Sequence, residues 1–255
     1  MNPLEQHIEF WRSYTPVAPP YLHPEDRAAL MSRSEKRFHS TPFNFDSYVE
    51  TEWNNEKETN FHSGLLPSPY LGDLCQAKVI VLMTNPGFHI GDYWAQQDHT
   101  YVGAAKSNLH QELGGREFPF IFLDPKFCWH AGFEWWERKL RSITMHVWKR
   151  QGLTNYKTAL RTVSKHVAAM ELMPYHSRSA SYLRIPSVES AQRAAAYLGS
   201  IESPPLKTLI VARSAKLWAV PRNSHVVVLG SGQARTASLN VGTVAGDAIL
   251  EALLT

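Results

Sequence analysis

Short runs of apolar, largely β-branched residues, each bounded by turn residues, constrain the fold of this chain more than any other feature of its sequence. Three such runs lie at residues 79–83, 206–212 and 226–229, and a less β-branched run lies at residues 167–173. Runs this short and this uniformly apolar are typical of strands that are buried on both faces. We therefore expect a parallel sheet with helices on both of its sides.

Helical patterns separate these runs. The clearest places five apolar side chains on one helix face at spacings of three and four residues: Phe133, Trp136, Leu140, Ile143 and Val147. We also predict helices at residues 154–165 and 187–198, the second with Ser187 as its N-cap. Strands that alternate with helices predict an α/β fold, here a three-layer α/β/α sandwich around a central, mostly parallel four-stranded sheet.

The length and the ends of the sequence bear on its organisation. A chain of 255 residues of which 44% are hydrophobic can bury one sizeable core, so we predict a single domain over residues 1–255. Residues 1–60 contain several prolines and are predicted to form an irregular or helical extension packed on that domain. The start of the chain has no charged-then-apolar leader pattern, and the apolar runs are only strand length, so we expect a soluble, cytoplasmic monomer with no membrane contact.

Charge and metal-binding residue types narrow the function classes. The formal net charge of +3 is compatible with a polyanionic partner but does not establish one. The two cysteines, Cys75 and Cys128, form no C-x-x-C pair, which excludes a disulfide framework, a zinc ribbon and a four-cysteine iron–sulfur cluster. None of the 12 histidines forms an H-x-x-x-H or H-E-x-x-H pair, so we expect no metal and no cofactor.

Three segments follow predicted strands, at the edge of an open α/β sheet where ligands bind. After the first strand, Pro86 and Gly87 fix a turn that leaves Asn85 projecting from the strand tip. The second segment covers residues 171–177 and the third covers residues 230–238. Each segment alone is weak evidence for a site, and the Asn-Pro-Gly sequence alone is more typical of a simple tight turn. Gly230-x-Gly232 lacks the third glycine and the following strand of a dinucleotide-binding fingerprint, and no G-x-S-x-G hydrolase motif occurs.

Taken together and in this order, the segments resemble the uracil-DNA glycosylase superfamily, and most closely its thymine-DNA and mismatch-specific branch. The resemblance implies that Asn85 orients the attacking water and that Phe88 lies near the aromatic position that stacks on the extruded base. The third segment resembles the intercalation loop of the family, with Arg235 as the wedge that enters the duplex. Further predicted DNA contacts in that segment are Ser231, Gln233 and Ser238.

The base pocket is expected to draw on both of the first two segments. Residues predicted to bind the base, besides Phe88, are Thr84, Glu171, Tyr175 and His176. Two positions depart from the uracil-specific pattern. Gly230 or its neighbours replace the histidine that stabilises the leaving base, and Glu171 replaces the asparagine that reads uracil. The cysteine count excludes the iron–sulfur branches of the superfamily.

Glu171 carries a prediction about the base. Uracil presents an N3 donor beside an O4 acceptor, whereas cytosine presents an N3 acceptor beside an N4 donor. A neutral carboxylic acid pairs with cytosine at both points, and burial raises the pKa of a carboxyl towards that form. Glu171 therefore predicts a cytosine-type base, and the alternative is a glutamate in a structural hydrogen bond at the strand end.

An enzyme that removed ordinary cytosine would destroy its host's DNA, so a modified cytosine is expected. The superfamily includes bacterial anti-phage enzymes that excise glucosylated 5-hydroxymethylcytosine from viral DNA, and this chain is similar to them in overall type. Residues 89–101 and 128–136 are rich in aromatic and histidine side chains, which are typical either of a roomy sugar pocket or of core.

The predicted activity is that of a monofunctional glycosylase. No lysine in the three segments is placed as a Schiff-base nucleophile, so we expect hydrolysis that leaves an abasic site. The expected partner is double-stranded DNA with a base flipped out of the helix. Two alternatives stay open, namely a repair glycosylase acting on uracil or G·T mismatches, and a non-catalytic DNA-binding sensor of the same fold.

Overall fold

The computed structural model describes residues 1–32, 44–52, 60–179, 182–201 and 206–255, without the side chains of Thr51 and Glu52. The strands are β1 (Tyr70–Leu71), β2 (Val79–Met83), β3 (Val167–Glu171), β4 (Thr208–Val211) and β5 (Val226–Val228). The helices are α1 (Pro3–Arg12), α2 (Pro24–Ser32), α3 (Phe45–Ser47), α4 (Gly91–Ala95), α5 (His99–Leu109), α6 (Ala131–Arg150), α7 (Tyr156–His166), α8 (Pro186–Ser200), α9 (Ala215–Trp218), α10 (Ser231–Thr236) and α11 (Val244–Leu254). A π-helical turn (Tyr48–Glu52) follows α3, and two 3₁₀ turns (Ile121–Leu123 and Pro125–Phe127) precede α6.

The sheet has the order β1-β3-β2-β4-β5. Strands β3, β2, β4 and β5 run parallel, which confirms the four predicted strands and the α/β class. The predicted total of four strands is wrong, because β1 adds a fifth strand antiparallel to β3, with Tyr70 opposite Met170. A strand of two residues is too short to produce an apolar run in the sequence.

Several predicted boundaries need correction. Strand β4 begins at Thr208 rather than at residue 206, β3 ends at Glu171 rather than at residue 173, and β5 ends at Val228. Helix α8 begins at Pro186, and the extended residue Ile185 is its N-cap, so the predicted N-cap Ser187 lies inside the helix. Proline suits the first helical position because its missing N–H would have no intrahelical partner there.

Alternate side chains of the strands enter two separate cores. On one face Val79, Val81 and Met83 pack with residues of α5, α6, α7 and α11. On the other face Ile80 and Leu82 pack with residues of α1, α2 and α8. Successive side chains of a strand therefore face two different helical layers. Strand β2 lies in the middle of the sheet, and all of its residues are buried.

The predicted N-terminal extension contacts the rest of the chain through α1 and α2. Leu4, Ile8 and Trp11 of α1 are buried in the core that contains α8. The buried Asp26 of α2 accepts hydrogen bonds from the backbone N–H of Ser187 at 2.9 Å and from the Tyr175 hydroxyl at 2.7 Å. Residues 33–43 and 53–59 of the predicted extension lie outside the described residues.

Among the helices that the structure describes, none combines the length and the apolar character needed to cross a bilayer.

Candidate active site

A pocket of about 250 Å³ lies at the carboxyl ends of the parallel strands. Asn85, Glu171 and Arg213 enter its wall from the segments that follow or end β2, β3 and β4. Met83 and Glu171 are partners in the ladder, so the first two predicted segments start from neighbouring points of the sheet. Other lining residues that matter for the chemistry are Phe88, His89, Asp92, His130, Trp135, His176 and Arg178.

The turn that carries Asn85 is fixed by hydrogen bonds to the last residues of β2. The indole N–H of the buried Trp218 donates to the Met83 carbonyl at 2.8 Å, and the backbone N–H of Met173 donates to the Thr84 carbonyl at 2.7 Å. These bonds close the carboxyl end of β2 against two other elements. The position of Asn85 is therefore set by the sheet and not by the turn alone.

The side-chain amide of Asn85 has a defined orientation. Its Nδ2 donates to the carbonyl oxygens of Pro86 at 3.1 Å and Ser177 at 3.2 Å, and to Ser177 Oγ at 2.9 Å. A carbonyl oxygen only accepts hydrogen bonds, so the atom that faces these groups must be the nitrogen. Asn85 Oδ1 then points away from them and accepts no hydrogen bond from the described residues, which leaves it available to a bound water.

Ser177 and His176 support this turn from the segment that follows β3. The Ser177 hydroxyl accepts from Asn85 and donates to the Ser179 carbonyl at 2.8 Å, so both of its roles are fixed. His176 Nδ1 lies 2.8 Å from the Gly87 carbonyl and Nε2 lies 3.2 Å from the Leu66 carbonyl. Burial lowers the pKa of His176 to about 4. A neutral ring has one N–H, and the shorter distance assigns it to Nδ1, which makes His176 a brace for the turn.

Glu171 is buried at 4% exposure and lines the pocket. Its Oε2 is buried and has no hydrogen-bond partner among the described residues. Burial raises the pKa of the Glu171 carboxyl to about 8, against a smaller opposing influence of Arg213. From the sequence, the alternative role of Glu171 was a structural hydrogen bond, and Oε2 makes no such bond with the described residues. The buried environment favours the neutral acid, which is the form expected from the sequence.

Arg213 lies two residues beyond β4 and also lines the pocket. Its Nη2 donates to the Arg235 carbonyl at 3.4 Å, whereas its Nε is buried and has no acceptor among the described residues. No ion pair joins Arg213 to Glu171, although the two side chains line the same pocket and interact electrostatically. Both groups therefore have hydrogen-bonding capacity that their described neighbours do not use.

Phe88 lies in the pocket wall, but its ring is already in contact with two side chains. His62 stacks on it with ring centroids 3.6 Å apart and planes 7° apart, and the Arg178 guanidinium carbon lies 5.0 Å from the ring centroid. A base that stacked on the ring face opposite His62 would have to replace Arg178 there. In this arrangement Phe88 contributes an apolar surface to the pocket instead of an uncovered stacking face.

Asp92 and His130 form the opposite, polar part of the wall. Asp92 Oδ2 accepts from the backbone N–H of His89 at 2.8 Å, and Oδ1 lies 3.3 Å from His130 Nε2. His130 Nδ1 accepts from the backbone N–H of Gly132 at the start of α6, so the ring proton belongs on Nε2, which faces Asp92. Burial raises the pKa of Asp92 to about 7 and lowers that of His130 to about 4.

The stretches 89–101 and 128–136 divide between pocket and core. His89, Asp92, His130 and Trp135 line the pocket, whereas Tyr101 is buried and stacks on His130 with centroids 4.9 Å apart. The exposed residues Gly87 and His89 lie on the rim, so the pocket opens to solvent on that side.

Two residues predicted to bind the base lie elsewhere. Thr84 is buried, and its hydroxyl pairs with that of Ser214 at 2.7 Å. Tyr175 is buried in the core beneath the opposite sheet face, where its hydroxyl donates to Asp26. Neither side chain lines the pocket.

The third predicted segment forms the short helix α10 rather than an extended loop, and none of its residues lines the pocket. Ser231 and Arg235 are exposed, and Gln233 and Ser238 are half-buried. Two cationic side chains bind the carboxyl end of α10: Arg213 donates to the Arg235 carbonyl, and Lys139 donates to the Thr236 carbonyl. Helix α10 is thereby connected to the pocket through Arg213.

Sequence reasoning missed several residues of the site. Arg213 had a usable signal, because it follows an apolar run in the same way as Asn85 does. Ser177 stands in the second segment but gave no sign that its hydroxyl holds Asn85. Asp92 and His130 lie in the two stretches that were considered for a sugar pocket, but no sequence signal indicated that these side chains, 38 positions apart, would be neighbours.

The described part of the chain contains no group of three or more His, Cys, Asp or Glu side chains placed to hold a metal ion. Comparisons with protein-family models, with curated proteins and with solved structures find no significant match to this chain.

Proposed function

We propose that this protein is a monofunctional DNA glycosylase that binds a pyrimidine nucleotide flipped out of the duplex and hydrolyses its N-glycosidic bond. Its preferred base is a modified cytosine, such as glucosylated 5-hydroxymethylcytosine in phage DNA, which would make it an antiviral enzyme. The observation that carries this proposal is the orientation of Asn85, which lines the pocket and whose nitrogen donates to three acceptors of Pro86 and Ser177.

An oriented amide suits the chemistry of glycosidic cleavage. The reaction builds positive charge on the sugar, and a dissociative transition state needs a positioned water more than a strong base. Asn85 Oδ1 can accept a hydrogen bond from that water while Ser177 and Pro86 hold the nitrogen. Since the amide is already oriented, little ordering is required when substrate binds.

Glu171 supports the preference for cytosine. Its neutral carboxyl can donate to N3 of cytosine and accept from the N4 amine, and its ionised form still accepts from the N4 amine but repels O4 of uracil. The unpartnered, buried Oε2 supports this role, since a buried polar atom without a partner is costly unless a ligand satisfies it. The opening beside Gly87 and His89 gives a substituent on the base room to extend towards solvent.

A substrate panel tests the proposal. Duplexes containing glucosylated 5-hydroxymethylcytosine, 5-hydroxymethylcytosine, cytosine, uracil and a G·T mismatch would be incubated with excess protein and then treated with alkali to cleave abasic sites. We expect cleavage with the modified cytosines and none with the other three. Cleavage of uracil or G·T duplexes alone would instead identify a repair enzyme, and binding without any cleavage would identify a sensor.

The variants Glu171→Gln and Glu171→Asn replace the carboxyl that is proposed to pair with the base by an amide. We expect both variants to lose preference for cytosine-type bases in competition binding with duplexes that contain a flipped, non-hydrolysable nucleotide. Gln192→Glu is a control that places a carboxyl at a position outside the pocket, where the glutamine amide bonds the Leu217 carbonyl. An unchanged preference in both Glu171 variants would remove this residue from base reading.

A further inference from the structure

Glu171 and Arg213 are oppositely charged residue types in one small pocket, yet no ion pair joins them. Each contributes a buried atom without a partner among the described residues, Oε2 of Glu171 and Nε of Arg213. A buried polar atom left unpaired costs on the order of 1–3 kcal/mol, and the two residues that carry these atoms line one pocket. The ligand that satisfies both must offer an acceptor to the guanidinium as well as a partner to the carboxyl.

The known contacts of Arg213 account for only part of its side chain. Nη2 holds the Arg235 carbonyl at the end of α10, and this bond is at the long end of hydrogen-bond distances, at 3.4 Å. Lys139 binds the adjacent Thr236 carbonyl and gives α10 a second connection to the body of the chain. Tethering of α10 therefore uses only Nη2 of the Arg213 guanidinium.

We propose that Arg213 is a catalytic residue whose guanidinium contacts the O2 edge of the extruded base and stabilises the negative charge that builds there as the base leaves. This inference rests on the proposed function. It assigns to Arg213 a task for which the sequence offers no histidine in the third segment, where Gly230 is the N-cap of α10.

The step balances without a cofactor. The bond between C1′ and N1 breaks, and its electron pair stays on the base as an anion delocalised over N1 and O2. The oxygen of the water oriented by Asn85 bonds to C1′. One proton of that water is transferred through solvent to the base, so the products are an abasic site and the neutral free base. Arg213 supplies only charge and a hydrogen bond, and it neither gains nor loses a proton.

The charges around the pocket favour this assignment. Because burial raises the pKa of Glu171 to about 8, that carboxyl is mostly neutral at pH 7 and leaves the charge of Arg213 uncompensated. Arg213 is therefore expected to favour an anionic base over a neutral one, and catalysis needs this difference between transition state and ground state.

A leaving-group series tests the assignment. Single-turnover excision would be measured for duplexes whose modified cytosines carry progressively more electron-withdrawing 5-substituents, with Arg213→Gln, Arg213→Lys and Lys139→Ala. Loss of the charge in Arg213→Gln is expected to slow excision of the poorest leaving group about 100-fold and that of the best far less. Arg213→Lys keeps the charge and is expected to restore part of the rate. Lys139→Ala removes a tether of α10 outside the pocket and is expected to change all rates by one common factor.

Equal slowing of every substrate in Arg213→Gln would overturn the proposal and leave Arg213 with a structural role. A binding measurement covers the case in which the protein excises nothing. The free base 5-nitrouracil, an anion near neutral pH, is expected to bind Glu171→Gln, whose amide accepts a uracil-type base, more tightly than uracil by calorimetry, and adding Arg213→Gln is expected to remove this preference. No preference in Glu171→Gln contradicts the role of Arg213, whereas a preference without any excision by wild type contradicts only the proposed glycosylase function.

Discussion

Asn85 Nδ2 lies 2.9 Å from Ser177 Oγ, and this hydrogen bond connects the segments that follow the neighbouring strands β2 and β3. The orientation of the amide therefore depends on a residue 92 positions away in the sequence. Ser177 is itself fixed by donating to the Ser179 carbonyl, so its oxygen has no freedom to turn from Asn85.

Replacing Ser177 by alanine should weaken catalysis more than stability. Ser177→Ala leaves the two carbonyl acceptors of Asn85 in place but removes the shortest of the three bonds, so the amide is held less firmly in its orientation. We expect the single-turnover excision rate to fall about tenfold, the effect of one hydrogen bond of typical net strength. Ser200→Ala is the matched control, because Ser200 is exposed and bonds only the Tyr197 carbonyl. Equal rates for the two variants would show that Ser177 does not orient Asn85.

Glu171 should make excision of modified cytosine dependent on pH. The carboxyl has a pKa raised to about 8 by burial, so it is neutral below that pH and loses its donor above it. We expect the excision rate to fall as the pH rises through about 8, and the fall to be absent in Glu171→Gln. A wild-type profile that stays flat from about pH 6 to about pH 9 would contradict the neutral-acid role.

The same residue should affect stability in a direction that its pKa defines. The folded pKa lies above the unfolded value of 4.5, so the folded state binds more protons between the two values and is destabilised as the pH rises from about 4.5 to about 8. Glu171→Gln removes this charge and should therefore be more stable than wild type at pH 8, by several kcal/mol at about 1.4 kcal/mol per pKa unit. Urea unfolding of both proteins at pH 5 and pH 8 measures the difference, which should shrink at the lower pH.

Asp26 should be important for stability and not for chemistry. Asp26→Ala removes from the core the acceptor of the Tyr175 hydroxyl and of the Ser187 backbone N–H. We expect a loss of about 2–4 kcal/mol in the free energy of unfolding. Asp247→Ala, at an exposed aspartate that bonds only the Gly242 N–H, should cost far less. If Asp26→Ala unfolded at the same urea concentration as wild type, the attachment of α2 to α8 would not depend on this carboxylate.

The sequence was sufficient to predict the parts of the fold that depend on local pattern. The uniformly apolar run at residues 79–83 predicted β2 with its correct bounds, and the spacing from Phe133 to Val147 predicted the face of α6 that is buried. Placing Asn85 and Glu171 together required only the rule that parallel strands end at one edge of the sheet.

The remaining features depend on packing that local pattern does not encode. Tyr175 and His176 are adjacent in sequence, yet one is directed into the core against Asp26 and the other braces the turn of Gly87. The different surroundings of Tyr175 and His176 follow from the direction that the chain takes after β3. The residue types in that segment do not specify this direction. The third segment resembled a loop in its composition, but Ser231–Thr236 form a helix whose end is bound by Arg213 and Lys139.

The most direct test of the account compares Asn85→Ala with Asn155→Ala on duplex DNA that contains glucosylated 5-hydroxymethylcytosine. Asn155 is exposed and caps α7 through the backbone N–H of Thr158, so its replacement makes the same chemical change outside the pocket. The measurement is the single-turnover rate at which alkali-labile abasic sites form. We predict a loss of at least about 100-fold in Asn85→Ala and a rate near wild type in Asn155→Ala. Equal rates of abasic-site formation in the two variants would contradict the central role of Asn85.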